Sequence, residues 1–293
     1  MRFVKMHGTG NDFVLLEADE DARDWPGLAR SLCDRHYGIG ADGIILVMPS
    51  ARADVRMRIF NPDGSEAEMC GNGIRCLVKY AVEMGLARPR GGRIMVEAQA
   101  GILPAWVEMV GGQVRRVRVG MGVPRFAPAE VPVAVEGPAP VLDLPLEVEG
   151  ERLLLTCLSL GNPHAVHFVE SPVQAFPLDT VGPAVERHPL FPQRVNFGVA
   201  RVLDAGHMEL RVWERGAGPT LACGSGATAA VVAARLHGWA GDRVEVSLPG
   251  GTLTIEWGGK GEAYLSGPAE WAFEGSWLGG AAPRGRAREG GSR

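Results

Sequence analysis

The sequence lacks several features that would assign it to a common class of enzyme. Lysine occurs only at Lys5, Lys79 and Lys260, and none stands in a context that suggests a Schiff base with pyridoxal phosphate. No GxxxxGK(S/T) motif is present, and the histidines and cysteines lack the spacing of metal ligands. The sequence therefore predicts no cofactor: neither pyridoxal phosphate, nor a P-loop nucleotide, nor a metal ion.

Long apolar segments and excess positive charge are also missing. The longest apolar candidate, residues 222–234, falls short of the roughly 20 residues that a membrane span needs. The first residues, MRFVKMHGTG, lack the apolar segment of a signal peptide. A formal net charge of −4 gives no basic surface for nucleic acid or anionic lipid. We therefore expect a cytoplasmic protein that binds neither nucleic acid nor a membrane.

The cysteines do not form a disulfide pattern. The chain has 5 cysteines in 293 residues, without CxxC spacing. An odd number at this low density is typical of free thiols in a reducing compartment.

One glycine-rich segment resembles a nucleotide-binding motif only in its letters. GIGADG (38–43) matches GxGxxG, which binds a dinucleotide when it follows a strand and opens a helix. Here it precedes the strand-like run IILVM, so we do not expect a dinucleotide site.

An internal repeat is the most informative feature present. MCGNGIRCLVKYAVEMG (69–85) and ACGSGATAAVVAARLHG (222–238) both contain Cys-Gly-polar-Gly and end at a glycine equally far from the cysteine. The residues between have helical spacing and are largely apolar, which predicts two buried helices. Cys70 and Cys223 should therefore each lie at a helix N-terminus, and Gly85 and Gly238 should each end a helix.

The similarity extends beyond the two helices. Asn61 and Glu214 stand equally far before the two cysteines, each after an alternating strand-like run, 55–60 and 208–213. Two probable hairpins follow, and a proline-rich linker or edge segment (123–145) lies between the halves. The Gly/Arg-rich segment 279–293 is expected to be a disordered tail. The ordered series predicts two similar domains.

Two cysteines at helix N-termini suggest acid–base chemistry. Unpaired N–H groups and the positive end of the helix dipole favour an anion there, and should lower the pKa of a thiol. Inversion at a carbon that carries hydrogen needs one base on one face and one acid on the other. A hydrolase of the Cys/His type would need only one cysteine. We predict that Cys70 and Cys223 are the paired acid and base.

Polar residues in and beside the repeated blocks are candidate substrate contacts. Arg215 suggests the capture of a carboxylate, and Glu214 beside it is available to an ammonium group. A plain surface ion pair is the alternative for these two residues, and His164 could be an ordinary core histidine. Asparagines in glycine- or proline-containing loops complete the set: Asn11, Asn61, Asn72, Asn162 and Asn196.

Five segments, in order along the chain, closely resemble the diaminopimelate epimerase family. They are HGTGNDFV (7–14), FNPDGSEAEMCGNGIRC (60–76), SLGNPHAV (159–166), RVNFGV (194–199) and WERGAGPTLACGSGATA (213–229). The resemblance implies an α+β fold of two pseudo-symmetric domains, each a mainly antiparallel sheet rolled around a central helix. It places the domains at 1–123 plus 268–278 and at 124–267.

The resemblance also implies a function and a set of site residues. The function is the interconversion of LL- and meso-2,6-diaminopimelate, for lysine and peptidoglycan precursors, by a two-thiol mechanism without pyridoxal phosphate or metal. His164 and Glu214 would modulate the thiol pKa values, and Phe273 would lie in a homodimer interface. Gly43 departs from relatives that carry glutamine there, so no contact is assigned to it. The substrate-binding residues would be Asn11, Asn61, Gly71, Asn72, Asn162, Asn196, Glu214, Arg215, Gly224 and Ser225.

Two other functions remain open at this point. A related two-cysteine racemase could act on another amino acid, such as proline or histidine. A binding or redox-sensing protein could use the two thiols as a reversible disulfide switch.

Overall fold

The computed structural model describes residues 1–19, 23–67 and 70–279. Most of the predicted tail, 280–293, lies outside these ranges. In the described part, eighteen strands form one continuous hydrogen-bonded sheet that winds around two central helices. The four α-helices of the described residues are α1 (Trp25–Cys33), α2 (Gly71–Glu83), α3 (Leu178–Glu186) and α4 (Gly224–Leu236).

The strands fall into two groups of the same design. Those before residue 121 are β1 (Arg2–Gly8), β2 (Asn11–Glu17), β3 (Gly43–Met48), β4 (Val55–Phe60), β5 (Glu66–Ala67), β6 (Arg93–Ala98), β7 (Gly101–Val110) and β8 (Gln113–Gly120). The rest are β9 (Val141–Val148), β10 (Glu151–Ser159), β11 (Pro163–Phe168), β12 (Asn196–Asp204), β13 (His207–Glu214), β14 (Gly218–Thr220), β15 (Arg243–Leu248), β16 (Gly251–Glu256), β17 (Tyr264–Gly267) and β18 (Glu270–Ser276).

Strand pairing shows the duplication directly. In the first half the order is β1-β2-β3-β4-β6-β7-β8, in which β2–β3 and β4–β6 are parallel and the other pairs antiparallel. In the second half β10-β11-β12-β13-β15-β16-β17 repeats this alternation, with β11–β12 and β13–β15 parallel. The predicted α+β fold with two similar domains is confirmed.

The two halves meet through their last strands. β8 pairs antiparallel with β17, so that Gly120 lies opposite Tyr264 and Val117 lies opposite Gly267. Because equivalent strands pair antiparallel, this junction lies on a pseudo-twofold axis. The chain then returns to the first half, where β18 pairs with β1. The boundaries 1–123 plus 268–278 and 124–267 remain a prediction, and the return of β18 supports it.

The two repeated segments form the predicted helices. α2 and α4 are both preceded by an N-cap cysteine, and Gly85 and Gly238 follow their C-caps with φ of 73° and 77°. Positive φ favours glycine, which explains why each segment ends in one. All the apolar positions that predicted the helices are buried: Ile74, Leu77, Val78, Ala81, Ala227, Ala230, Val231 and Ala234.

The proline-rich segment between the halves carries one strand at its end. Residues 123–140 contain no helix or named strand, and Arg125 makes only an isolated bridge to Ser159. β9 begins at Val141 and, in the described part of the sheet, pairs with β10 alone. The segment is therefore a linker that ends in an edge strand.

GIGADG lies between a helix and a strand. It follows α1 and leads into β3, which begins at Gly43. This order is the reverse of the strand–loop–helix order that a dinucleotide fingerprint requires. A Cβ added at Gly43 would lie 2.8 Å from the carbonyl oxygen of Phe60, so the backbone leaves little room for a side chain there.

Candidate active site

The two cysteines cap the two central helices in the same way. Cys70 Sγ accepts a hydrogen bond from the Gly73 backbone N–H at 3.5 Å, and Cys223 Sγ accepts one from Gly226 at 3.3 Å. Both cap residues are extended, with φ of −144° and −117°. A thiol in this position takes the place of the usual serine or aspartate N-cap. Both cysteines are free thiols, as predicted.

The two helix N-termini lie next to each other. The Asn72 side chain Nδ2 donates across the junction to the carbonyl oxygen of Ala222 at 3.3 Å. Cβ atoms added at Gly71 and Gly224 would approach the same residue, Met121, at 3.3 and 4.0 Å. The two thiol-bearing helix ends, which are distant in sequence, therefore face one region between the halves.

The first half contributes a chain of hydrogen bonds to Cys70. Asn11 Oδ1 accepts from Asn72 Nδ2 at 3.0 Å and from the Cys70 thiol at 3.8 Å. Asn11 Nδ2 donates to Asp42 Oδ2 at 2.8 Å, which fixes the orientation of the amide so that its oxygen faces the thiol. Arg35 donates to both Asp42 and Asp12. Hydrogen bonds from Arg35 and Lys5 lower the pKa of Asp12 to about 2, against the opposing effect of its burial.

The second half places a matching set of groups around Cys223. The Ser225 hydroxyl lies 3.6 Å from Cys223 Sγ and accepts from Asn162 Nδ2 at 3.3 Å. Asn162 Oδ1 in turn lies 3.0 Å from His164 Nε2. Burial, with a smaller effect of the Arg215 charge, lowers the pKa of His164 to about 3. His164 is therefore a neutral ring that holds Asn162, not a cation beside the thiol.

Glu214 faces Cys223 directly. It lies close enough to raise the pKa of the Cys223 thiol, and Glu214 Oε1 accepts from the Thr220 hydroxyl at 2.6 Å. Burial raises the pKa of Glu214, and the charge of Asp42 acts in the same direction. The cleft therefore concentrates carboxylates where a substrate ammonium group would relieve their repulsion.

The neighbours of Glu214 define the edge of the site. Asn196 is buried, and its Oδ1 accepts from the Arg215 backbone N–H at 2.9 Å. The Arg215 guanidinium is exposed and donates to the Gln193 carbonyl oxygen at 3.0 Å rather than to Glu214. Asn61, at the end of β4, donates to the Ser65 hydroxyl at 3.0 Å. Asn61 occupies the position in the first half that Glu214 occupies in the second. Its side chain bonds to Ser65 and not to Asn11 or Asn72.

The thiol pKa values differ from the sequence-based expectation. Hydrogen bonds from the helix N–H groups act to lower them, as expected, but burial outweighs this effect. The pKa of Cys70 is raised by burial, and that of Cys223 is raised well above its usual value by burial and by Glu214. The expected net lowering is wrong because the helices are enclosed by the sheet.

Three polar residues of the site were not identified from the sequence. Asp42 lies within GIGADG, whose letters match a nucleotide-binding motif. Arg75 lies within the first repeated block and is fully buried in α2, and Thr220 lies just before the second block. In the described ranges, no group of three His, Cys, Asp or Glu side chains is arranged to hold a metal ion. Nor is any described helix both long enough and apolar enough to cross a membrane.

The fold is shared with solved structures of racemases and epimerases. It is similar to a hydroxyproline epimerase from Agrobacterium vitis, with a TM-score of 0.69, 16% identity, and coverage of 94% of this chain and 91% of that one. It is also similar to a probable proline racemase from Agrobacterium radiobacter, with a TM-score of 0.68, 15% identity, and coverage of 94% and 92%. At these identities the likeness defines the fold class alone.

Sequence comparison identifies the family. The family model for diaminopimelate epimerase matches residues 3–127 and 156–272. The diaminopimelate epimerase of Moorella thermoacetica is 53% identical over 278 residues, covering 94% of this chain and 98% of the relative. That of Pelotomaculum thermopropionicum is 50% identical over 281 residues, covering 94% and 99%. The chain belongs to the diaminopimelate epimerase family.

Proposed function

We propose that this protein interconverts LL- and meso-2,6-diaminopimelate by a two-base mechanism in which Cys70 and Cys223 are the catalytic residues. The observation that carries the proposal is the pair of thiol-capped helix N-termini that face one region between two similarly wound halves. The family relationship supports the choice of substrate. The reaction would supply precursors of lysine and of peptidoglycan.

Two thiols that approach the α-carbon from opposite faces would invert it. One cysteine, as thiolate, takes the α-proton and becomes a thiol. The other, as thiol, delivers its proton to the opposite face of the α-carbon and becomes a thiolate. No other atoms are gained or lost, and the residues provide both the base and the acid without a cofactor. Because the two sites share one proton, their apparent pKa values belong to the pair.

The helix N-termini are suited to the substrate carboxylate at the reacting centre. Their first backbone N–H groups have no partner within the helix and carry partial positive charge. They would bind the carboxylate and stabilise the negative charge that develops as the α-proton leaves. We assign this role to the backbone of Gly71, Asn72, Gly224 and Ser225.

The remaining polar side chains are suited to the amino groups and the second carboxylate. Glu214 would pair with a substrate ammonium, whose charge would favour the ionised carboxylate over the neutral acid. Arg215, which is exposed and bound only to a backbone oxygen, can turn toward a carboxylate. His164 acts by holding Asn162 and through it Ser225 and Cys223. We assign substrate contacts to Asn11, Asn61, Asn72, Asn162 and Asn196.

The location and the assembly of the enzyme are part of the same proposal. We place it in the cytoplasm, where its free thiols would stay reduced. We propose a homodimer formed through the edge strand β18, on which Phe273 is 51% exposed and packs edge-on against Phe3 at 5.9 Å.

Proton exchange tests the activity. In deuterated water without added cofactor, purified protein should convert LL- to meso-diaminopimelate and place solvent deuterium at one α-carbon. A panel with proline and histidine tests the substrate, because proline lacks the second amino and carboxylate end that Glu214, Arg215 and the asparagines would bind. Preferred turnover of proline or histidine would overturn the assignment.

Cysteine variants test the mechanism. Cys70→Ala and Cys223→Ala should each lower kcat by at least about 10²-fold, because each removes the acid or the base. Cys76→Ala is the matched control: Cys76 lies in α2, is fully buried, and its pKa is raised by burial to about 12, so it stays a neutral thiol. Near-normal turnover by either of the first two variants would contradict the two-thiol mechanism.

A further inference from the structure

Glu186, the last residue of α3, is a buried carboxylate that the proposed mechanism does not use. Only 3% of its side-chain surface is exposed, and both of its oxygens accept hydrogen bonds. Oε2 accepts from the Trp213 indole Nε1 at 2.8 Å, and Oε1 accepts from the Gly216 backbone N–H at 3.0 Å. The Arg194 guanidinium lies 3.5 Å from the same Oε1. A carboxylate is costly to bury, so these three donors are bound in a defined geometry.

The partners of Glu186 lie on both sides of Arg215. Gly216 directly follows Arg215 in the turn of residues 215–217, which we call the Arg215 turn, and its φ of 78° favours glycine. Arg194 directly follows Gln193, whose carbonyl oxygen accepts from the Arg215 guanidinium at 3.0 Å. Glu186 therefore connects the backbone of the Arg215 turn to the segment on which the guanidinium rests.

The helix that carries Glu186 is packed tightly against the strand that leads into this turn. A Cβ added at Gly182 of α3 would lie 2.7 Å from Cγ of the Trp213 indole. The same indole donates to Glu186, so α3 and the end of β13 cannot shift independently. Asn196 adds a second contact, because its Oδ1 accepts from the Arg215 backbone N–H. The position of the Arg215 turn is thus set by α3 and β12 from behind.

The first half supports the corresponding loop in a similar way. α1 and α3 are equivalent, since each connects a parallel pair of strands, β2–β3 and β11–β12. Arg30 of α1 donates to the Asp63 carbonyl oxygen at 3.1 Å, in the loop that follows Asn61. That loop corresponds to the one that follows Glu214. In the second half the contact from the helix is a buried carboxylate, whereas Arg30 is exposed.

We propose that Glu186 is a positioning residue that holds the Arg215 turn where the Arg215 guanidinium can bind the second carboxylate of the substrate. The inference rests on the proposed function, which gives Arg215 that role. Glu186 fixes the backbone of the turn before the substrate arrives, while the exposed guanidinium can exchange the Gln193 carbonyl oxygen for a carboxylate. Recognition of a substrate with two carboxylates then depends on a residue buried behind the turn.

Glu186→Gln tests the proposal, because glutamine keeps the size of the side chain and replaces one acceptor oxygen by a donor. It cannot accept from both the Trp213 indole and the Gly216 N–H in the present geometry. The KM for diaminopimelate should rise about tenfold, the effect of one weakened hydrogen bond to a charged group. The kcat should change by less than about threefold, because Arg215 binds the end of the substrate that does not react.

A double-mutant cycle with Arg215→Met shows whether Glu186 acts through Arg215. Arg215→Met removes the guanidinium and should raise the KM by more than Glu186→Gln does. In the Arg215→Met background, Glu186→Gln should change the KM by less than about twofold, because residues that act through one interaction are not additive. A general structural defect would raise the KM by the same factor in both backgrounds.

Glu83 offers a matched control in the first half. It accepts from the Trp271 indole Nε1 at 2.6 Å and from the Val114 backbone N–H at 2.9 Å. Lys79 forms an ion pair with it at 2.9 Å. These are the same three kinds of partner, but Glu83 ends α2, about 20 Å along the helix from the end that carries the thiol. Glu83→Gln should lower the thermal stability to a similar extent and leave the KM unchanged.

Amide hydrogen exchange of the wild type decides the question even if Glu186→Gln fails to fold. The Gly216 N–H, followed by NMR, should be protected before diaminopimelate is added, because its acceptor is buried. Exchange at the unprotected rate until substrate binds would overturn the inference. So would a fall in kcat without a rise in KM, or equal effects of Glu186→Gln in both backgrounds. Absence of diaminopimelate turnover by a wild type whose Gly216 N–H is protected would overturn the proposed function, not the holding of the turn.

Discussion

At the scale of single residues, His164 shows how the site uses a titratable group in its neutral form. The ring is 2% exposed and lies at the end of the hydrogen-bond chain that runs through Asn162 and Ser225 to Cys223. An amide oxygen only accepts hydrogen bonds, so Nε2 carries the ring proton toward Asn162 Oδ1. Protonation of the second nitrogen would place an unpaired charge in the core.

The neutral state of His164 predicts acid sensitivity. Its pKa is lowered by burial to about 3, below the ordinary value of 6.5, so the unfolded chain binds the extra proton first. Stability is then complete above pH 6.5 and is lost as the pH falls toward 3, by up to about 1.4 kcal/mol per pH unit. His164→Gln should flatten this part of the curve, as measured by urea unfolding at several pH values. The control His36→Gln, at an exposed histidine, should leave this part of the curve unchanged. Parallel curves for His164→Gln and the wild type would refute the prediction.

At the scale of elements, the geometry of each thiol depends on the glycine that follows it by one turn of helix. A Cβ added at Gly226 would lie 2.9 Å from Val212 Cγ2 and 3.2 Å from Cys223 Sγ. The same glycine donates the N–H that caps the helix at the thiol. The Cys-Gly-polar-Gly pattern is therefore a packing requirement as well as a helix start.

Substitution of Gly226 should impair catalysis more than folding. We expect Gly226→Ala to displace the Cys223 thiol and to lower kcat by about 10²-fold, since small misplacements of reacting groups have effects of this size. Gly238→Ala is the control at the other end of α4, where φ is 77° and no atom lies within 4 Å of an added Cβ. That change should cost about 1 kcal/mol of stability and leave kcat unchanged. Steady-state kinetics and thermal unfolding distinguish the two, and equal kcat values would contradict the argument.

The two central helices and the two strands that precede them could be predicted from the sequence because their signals are local, whereas α1 and α3 were not predicted. The repeated segments predicted where α2 and α4 begin and end. The alternation of apolar and polar residues predicted the strands β4 and β13. The enclosure of both helices, which reverses the net shift of the thiol pKa values, depends on long-range strand pairing and has no local signal. Arg75 was missed for a related reason: a charged residue in a helical segment is usually exposed, and only the fold shows that every face of α2 is covered.

At the scale of the whole molecule, the pseudo-twofold junction accounts for the position of the active site. β8 and β17 are equivalent strands that pair antiparallel, so each half presents its central helix to the axis from the opposite side. Met121, which follows β8, lies near both helix starts. The duplication explains why there are two thiols, one from each half.

The outer edge of the sheet, strand β18, is the surface through which we expect two copies of the protein to assemble. β18 pairs with β1 on one side, and its Phe273 is 51% exposed beside Phe3. In a dimer with twofold symmetry the same patch meets its own copy, so Phe273→Glu would place two like charges near each other in an apolar contact. Light scattering should report a dimer for the wild type and a shift toward monomer for the variant. Tyr37→Glu, at a side chain that is 89% exposed, should remain dimeric. A monomeric wild type, or a Phe273→Glu dimer of undiminished affinity, would refute an interface centred on this strand.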